Sequence, residues 1–390
     1  MRLLSVIALL ATAAPFLLGQ GIGEPVAAWT PGTLDIHHIQ TGRGNAAFVV
    51  FPDGTTLLLD AGAVPDREGL ELGPRRPNPM RSTAQWIAQY IRQFGPKHAA
   101  ALDYAVVTHY HDDHMGALAE LAQLVHIDTL IDRGDSPKPP PYTVVDSYFA
   151  FRRAFAGQVQ ALRAGKADQI VPRRGGVANF EVRNVASNGV VWSGSRDEAV
   201  SQFPANWQSL AEGLQPKEND FSNALAIRYG GFRYFTGGDL AGVPLDELPA
   251  WHDLETPIAR AVGPVDVLVL NHHGWLDTTN PYFLKILNPR VVVIPAWHAS
   301  HPDHSVLRRL RSPGWRPAPP DLFTTSLLPA TRAIVSYMGR AFQSTEGHIL
   351  IRVAVDGASY RVMVLDDESE AAKLKGVWGP YQSQSPKLAE

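Results

Sequence analysis

Residues Thr108 to Gly116 read T-H-Y-H-D-D-H-M-G, and no other stretch limits so sharply what this chain can become. The apolar run Ala105, Val106, Val107 precedes it, so a strand would deliver four metal-binding side chains, His109, His111, Asp113 and His114, to the edge of a sheet. His109 and His111 stand two apart and share one face of an extended segment, where both imidazoles reach the same ion. Asp113 and His114 fall in the turn that follows and reach a second ion. A solvated polar turn is the plainer reading, but three histidines and two aspartates behind an apolar strand have no structural need for one another. The chain contains no cysteine, which leaves nitrogen and oxygen donors for any metal and rules out disulfides.

Other strand ends repeat the design. Ala46 to Phe51 and Thr56 to Leu59 flank a P-D-G turn, and the second of them stops at Asp60. Asn223 to Tyr229 and Phe232 to Phe235 pattern as a hairpin that runs into Gly237-Gly238-Asp239, where the glycines allow close backbone approach and Asp239 projects its carboxylate. Val265 to Leu270 ends at Asn271, His272, His273 and Gly274, and Val291 to Ile294 ends at Trp297, His298, His301 and His304. Gathering ligands from the ends of separate strands is how an α/β sheet builds a site. The remaining periodicity predicts a half-buried strand over Thr33 to Gln40, a helix entered at Ser82 or Thr83 and stopped by Gly95-Pro96, a helix over Gly116 to Val125 and a strand over Ile127 to Asp132. Further on it predicts a helix around Asp146 to Ala164, short strands at Gln169 to Val171 and Phe180 to Ala186, a helix over Ser305 to Arg311, and closing strands over Gly347 to Val355 and Ser359 to Leu365.

His109, His111, Asp113 and His114 match an H-x-H-x-D-H signature, and on those residues the chain resembles the metallo-β-lactamase superfamily. Gly42 to Gly62 looks like that superfamily's opening hairpin and D-x-G turn, and Phe221 to Leu240 like the later hairpin that ends in a metal-bridging aspartate. Val265 to Gly274 followed by Pro289 to His304 is most similar to the branch containing the ComEC competence protein's C-terminal domain and the phosphorylcholine esterases. The resemblance implies an α/β fold, a four-layer αββα sandwich, around two divalent metal ions, zinc or manganese. It gives His109 and His111 to the first metal, Asp113 and His114 to the second, and Asp239 to both. One of His272 and His273 completes the second set; His273 is the preferred ligand and His272 the group beside the substrate. Asp60 is expected to orient the metal loop by hydrogen bonds, or otherwise only to cap its strand. Asp113, His272 and His301 take the catalytic assignments, and Asn223, Trp275 and His304 the substrate contacts.

The chain departs from the wider superfamily in one place. Members such as glyoxalase II carry another histidine between the first cluster and the bridging aspartate, yet none occurs between His126 and His252. The first metal site is therefore one protein ligand short, and would be weak, lean on a substrate oxygen, or recruit Asn188 or Asp135. The ComEC-like branch resembles this chain in lacking that histidine, although it usually carries serine where Trp275 stands. His37, His38, His98, His126, His252 and His348 sit beside no second cluster and read as structural.

With 390 residues, 45% hydrophobic and 19% charged, the chain fits one large soluble globular domain. Arg2 ahead of an apolar run broken by Pro15 reads as a secretory signal peptide over residues 1–23, so export to the periplasm or beyond is expected, with no stable membrane anchor. Residues 24–368 form the metallo-β-lactamase-like domain and 369–390 a tail. Within the domain, the aromatic-rich excursion 134–220 opens on Pro137, Pro139, Pro140 and Pro141 and reads as a lid or substrate wall. A formal charge of −3 without basic stripes does not favour a nucleic-acid partner. The expected activity is cleavage of a phosphodiester or related ester, small or polymeric, by a metal-bridging hydroxide. A lactonase, thioesterase or β-lactamase-type hydrolase and a mononuclear iron dioxygenase are the rivals on this fold, and both generally use the missing histidine. A non-catalytic binding protein is the third, though a decayed site would usually have lost one of the ligands kept here.

Overall fold

Short runs of apolar residues become strands that are buried on both faces, and that burial sets the layering. The structure, a computed structural model, describes residues 21–66, 69, 71–96, 101–135, 143–245, 247–316 and 318–384. The first twenty residues of the expected leader and Pro137 to Tyr142 lie outside them. No helix among the described residues is long and apolar enough to cross a membrane.

In chain order the first half holds β1 (Leu34–His38), β2 (Ala47–Val50), β3 (Thr56–Leu59), α1 (Thr83–Phe94), β4 (Ala101–Val106), α2 (Asp112–Met115), α3 (Leu118–Leu124), β5 (His126–Asp132), α4 (Thr143–Ala154) and β6 (Gln158–Ala161). Then come β7 (Phe180–Ser187), β8 (Val190–Trp192), β9 (Ala199–Ser201), β10 (Ala224–Tyr229), β11 (Phe232–Thr236), α5 (Glu255–Val262), β12 (Val267–Val269), α6 (Pro281–Leu287) and β13 (Val291–Ile294). The chain closes with α7 (His304–Arg311), β14 (Asp321–Thr324), α8 (Pro329–Ile334), β15 (Phe342–Ser344), β16 (His348–Val353), β17 (Ser359–Leu365) and β18 (Leu374–Gln382). They form two nine-stranded sheets, ordered β18-β17-β16-β1-β2-β3-β4-β5-β6 and β15-β14-β13-β12-β11-β10-β7-β8-β9.

Successive side chains of a strand leave opposite faces, so each central strand feeds two cores. Ile36, Val49, Leu57 and Val106 of the first sheet pack with Ile227, Val267, Val291 and Val293 of the second. On the outside of the first sheet, Phe48, Val50 and Leu58 join Ile87 and Ile91 of α1 and Leu118 of α3. On the outside of the second, Leu268, Val292 and Ile294 join Ile258, Leu284 and Leu307 of α5, α6 and α7. The layers are thus α, β, β, α. Helix α1 begins where its sequence says it should: Ser82 and Gln85 form a reciprocal capping box that satisfies two otherwise orphaned amides.

Several expectations need correction. The strand over Thr33 to Gln40 is not half-buried; all five residues of β1 are buried, because α1 covers its outer face. The helix expected to Ala164 stops at Ala154, and Gln158–Ala161 pairs in parallel with β5 instead. No strand forms at Gln169 to Val171, and the helix expected from Gly116 begins at Leu118, after the separate turn of α2. Within stretch 134–220, β6 extends the first sheet and β7 to β9 extend the second, with β7 paired along β10. The tail expected from residue 369 contains β18, antiparallel to β17 and anchored by Leu374, whose carbonyl accepts from Gly23 and whose amide donates to Glu24.

Polar side chains in β1 and β16 are buried in an apolar setting. Asp35 receives both arms of Arg352, at 2.8 and 2.6 Å. Beside them His37 meets the Tyr90 hydroxyl at 3.1 Å, and His348 Nδ1 accepts the Gln40 amide at 3.0 Å. Burial holds His37, His38 and His348 neutral, each depressed to about 3. Unfolding releases them to the ordinary value near 6.5, so their contribution is intact above that pH. It is lost as pH falls from about 6.5 toward 3, at up to about 1.4 kcal/mol per pH unit for each histidine. Urea unfolding followed between pH 7 and 4 should therefore show a steep loss of stability, shallower in a His348→Gln variant.

Candidate metal centre

Four strand ends converge on one point between the sheets. Strand β4 leads through Thr108 into His109 and His111, β11 leads through Gly237 and Gly238 into Asp239, and β12 leads into Asn271 to Gly274. Strand β13 leads to Pro295 and Trp297. Strands β11, β12 and β13 run in parallel, so their carboxyl ends open on the same edge.

The loop bearing His109 to His114 is shaped by backbone contact with the segments before β2 and after β3. Asp113 O accepts the Asn45 amide at 2.8 Å, and Ala61 donates to His114 O at 2.7 Å. A Cβ at Gly62 would lie 1.8 Å from Asp113 O, so only glycine permits this approach. Asp60 supplies the side-chain hold. Its Oδ1 accepts the Thr108 amide at 2.7 Å, and its Oδ2 accepts from Asn45 Nδ2 at 3.0 Å, Thr108 Oγ1 at 3.0 Å and His114 Nδ1 at 2.8 Å. Asp60 adopts a φ of +62°, a strained setting for a residue with a side chain.

These contacts favour one tautomer of the neutral imidazoles. His114 donates from Nδ1 to Asp60, and His273 donates from Nδ1 to Pro295 O at 2.9 Å. Both Nε2 atoms are then bare in the neutral rings, yet they face each other at 3.2 Å. Nitrogens so placed are close enough to share one ion, and a histidine whose far nitrogen is tied to a carboxylate or carbonyl is the usual metal ligand. His109 follows suit: Thr108 Oγ1, which donates to Asp60, can accept from His109 Nδ1 at 3.1 Å, leaving His109 Nε2 free, 3.0 Å from His111 Nδ1. Asp239 Oδ1 is buried and accepts no hydrogen bond, although His114 Nε2 lies 3.1 Å away.

Two ligand sets result, Asp113, His114, Asp239 and His273 in one and His109, His111 and Asp239 in the other, each with its donor atoms within 4.8 Å of one another. Both kinds of donor suit a divalent ion, and Asp239 belongs to both sets. Among the protein groups alone, the charges are strongly interlocked. Burial opposes the charged form of His114, but Asp239, Asp113 and Asp60 outweigh it and push its pKa well above the ordinary value. Burial likewise opposes ionised Asp113 and Asp239, and the surrounding histidines, His114 first, overcome it and hold both carboxyls well below the usual range. His109 is driven well below its ordinary value by burial and then by His114.

The other expected residues fall in distinct places. His272 is in neither ligand set; its Nδ1 pairs with Asp277 at 2.8 Å, and its Nε2 lies 3.8 Å from Asp239 and 3.2 Å from the Asn219 amide. His301 is buried with its ring stacked on His273, centroids 4.7 Å apart, and it is kept neutral by burial and by His273. Trp275 is half-buried, with ring contacts to His272 and His301. Asn223 donates from its side chain to Val107 O at 2.9 Å and from its backbone to Thr108 O, and so pins the metal loop to β10. His304, at the start of α7, pairs with the Tyr337 hydroxyl. Neither proposed substitute for the missing histidine serves. Asn188 donates to Arg133 O at 2.6 Å, and Asp135 is exposed and paired with Arg152 at 3.0 Å.

Residues without a sequence signal complete the site. Glu218 accepts the Tyr110 amide at 2.8 Å and both arms of the buried Arg133, at 2.8 and 2.6 Å. The Arg133 guanidinium also lies over the rings of Tyr110 and Phe221. Glu255, wholly buried and pushed up to about 8 by burial, accepts from Asn271 Nδ2 at 2.9 Å and from the amides of Thr279 and Asn280, both at 2.7 Å. Only Asp277, four residues beyond His273, and Thr108, inside the motif, were placed where the sequence could have pointed to them.

Residues 40–177 match the family model described as the metallo-beta-lactamase superfamily. The fold is the metallo-β-lactamase fold. Solved structures similar to the chain include CmlA, a diiron beta-hydroxylase from Streptomyces venezuelae (14% identity, TM-score 0.41, covering 83% of this chain and 55% of that one). The metallo-beta-lactamase fold protein YhfI from Bacillus subtilis is similar at 13% identity and a TM-score of 0.40, covering 74% of this chain and 96% of that one. Igni18, a metallo hydrolase from the archaeon Ignicoccus hospitalis, is similar at 13% and 0.35, covering 82% and 98%. The chain spans about half the length of the CmlA structure it matches. No curated protein matches significantly.

Asp60 offers the direct test of how this metallo-β-lactamase-fold centre is held. Asp60→Ala removes four hydrogen bonds and leaves Thr108 and His114 without their acceptor. Chemical unfolding should show a loss of roughly 3 kcal/mol, and elemental analysis a lower metal content. Unchanged metal content would remove Asp60 from the support of the centre.

Proposed function

We propose that the chain is an exported binuclear metal-dependent hydrolase acting on a phosphodiester or related ester, of the ComEC-like and phosphorylcholine esterase-like kind. The observation that carries this reading is Asp239, shared by two ligand sets that together use four histidines and two carboxylates. A pair of divalent cations, zinc or manganese, would supply charge neutralisation for a phosphoryl or acyl oxygen and lower the pKa of a bound water. The chain's own residues do the rest. Asp60, Thr108 and Pro295 O fix the ligand histidines in the tautomer that turns Nε2 inward. His272, tied through Nδ1 to Asp277, presents Nε2 on the open side of Asp239, where it is placed to give a proton to a departing oxygen.

The two sets are unequal. One has four protein ligands and the other three, and Asn188, Asp135 and His272 are all engaged elsewhere. Calorimetric titration of metal-stripped protein with zinc or manganese should therefore resolve a tight site and one at least ~10-fold weaker. Asp239→Ala should reduce the metal bound to one ion or none and abolish turnover of an activated phosphodiester such as bis(4-nitrophenyl) phosphate. Two ions with no phosphodiester turnover, alongside cleavage of lactone or thioester, would overturn the phosphodiester reading. One observation favours a second reading: His109, His111 and Asp239 are two histidines and a carboxylate with open positions, the set that suits non-haem iron oxygenases. A single iron in the isolated protein would favour it.

A further inference from the structure

Beside His272 lies a cavity of about 420 Å³, within the range of small-molecule sites. Its lining takes Val243, Pro244, Leu245 and Leu248 from the loop after Asp239, and Trp275 and Leu276, which follow directly on the ligand turn. All six are half-buried and line the cavity. Most of the polar lining is engaged elsewhere. Asp277 is bound to His272 at 2.8 Å and Asp220 to His252 at 3.0 Å, while Asn219 reaches His272 Nε2 at 3.2 Å. Lys217 stands exposed at the lining with no ion pair among the described residues.

We propose that this cavity receives an alkyl or aryl group carried on the scissile ester, so that the substrate is an amphiphile with its ester oxygens at the metal centre and its apolar body between Leu248 and Trp275. The inference rests on the hydrolase reading above and names its substrate class. The join between cavity and centre is His272, which lines the one and lies 3.8 Å from Asp239 of the other. An apolar group held there sets the ester within reach of His272 Nε2 and loses its contact with water. A nucleic-acid substrate fits poorly. Bases are recognised by hydrogen bonds to their edges and by aromatic stacking, and this cavity offers one indole and few uncommitted donors. Lys217 suits the negative charge of a phosphodiester entering from the rim.

The test uses the metal-loaded protein and 4-nitrophenyl phosphodiesters whose second ester group is methyl, butyl or octyl. In parallel, calorimetry follows binding of alkylphosphonates of the same chain lengths, which are not hydrolysed. The expected result is a KM at least ~10-fold lower for octyl than for methyl, since each buried methylene contributes about fourfold before the cavity fills. Phosphonate binding should tighten in the same order, with a heat-capacity change that grows more negative with chain length. Leu248→Trp, which fills the cavity, should collapse the octyl-to-methyl ratio toward one. Equal KM values with flat phosphonate binding would overturn the cavity assignment while leaving the hydrolase reading intact, and so would a dinucleotide turned over faster than the octyl ester. Absence of all ester turnover with chain-length-dependent phosphonate binding would support the cavity and sink the hydrolase. The phosphonate measurement needs no variant, so misfolding of Leu248→Trp leaves the proposal open to refutation.

Discussion

The centre depends on the buried carboxylate of Asp60. It touches no inward-facing ligand atom, yet it binds the backbone and hydroxyl of Thr108, the Nδ1 of His114 and the amide of Asn45, and so joins the end of β3 to the loop after β4. A carboxylate is costly to bury, and here four donors compensate, one of them the His114 ring. Because two of those contacts orient rings, the same interaction that holds the loop decides which nitrogen of His114, and through Thr108 which nitrogen of His109, looks into the site. Support and chemistry share one side chain.

The opposite wall is held against backbone strain. His272 and His273 are consecutive left-handed residues, with φ of +47° and +54°, a conformation that costs roughly 1 to 3 kcal/mol for each residue with a side chain. Three anchors impose it. Glu255 holds Asn271 from one side, His272 donates its amide to Gly238 O at 2.9 Å, and Gly274 O accepts from Asp303 at 2.8 Å. The turn separates two adjacent histidines that a strand would also have pointed apart, but it leaves both near Asp239, His273 as a ligand and His272 on its open side.

What the sequence disclosed follows physical range. The motif His109 to His114, the glycines before Asp239 and the histidine pair after β12 are local patterns, and each lies at a strand end where periodicity says it should. The strands themselves were legible because they are continuous apolar runs. Misreadings came where the answer lay in distant contacts. Gln158 to Ala161 is polar and reads as helix continuation, but the open edge of β5 recruits it as a strand. Asn223 looks like an exposed hairpin residue until its amide is seen to grip Val107 O. Glu218, Arg133 and Glu255 carry no signal at all, since a buried charge is recognisable only from the partner that satisfies it.

Strand β1 lies between β2 and β16, pairing Leu34 with Val353 and His38 with Ile349. An early strand therefore has its second neighbour more than three hundred residues later in the chain. The ligands are divided in the same way, with His109 to His114 hung from the first sheet and Asp239 and His273 from the second. During synthesis, an emerging amino-terminal half holds the histidine-rich loop but neither the bridging carboxylate nor the strand that completes the sheet beneath it. Neither candidate ligand set is therefore complete until Asp239 has been added, and neither sheet can close until the last strands arrive.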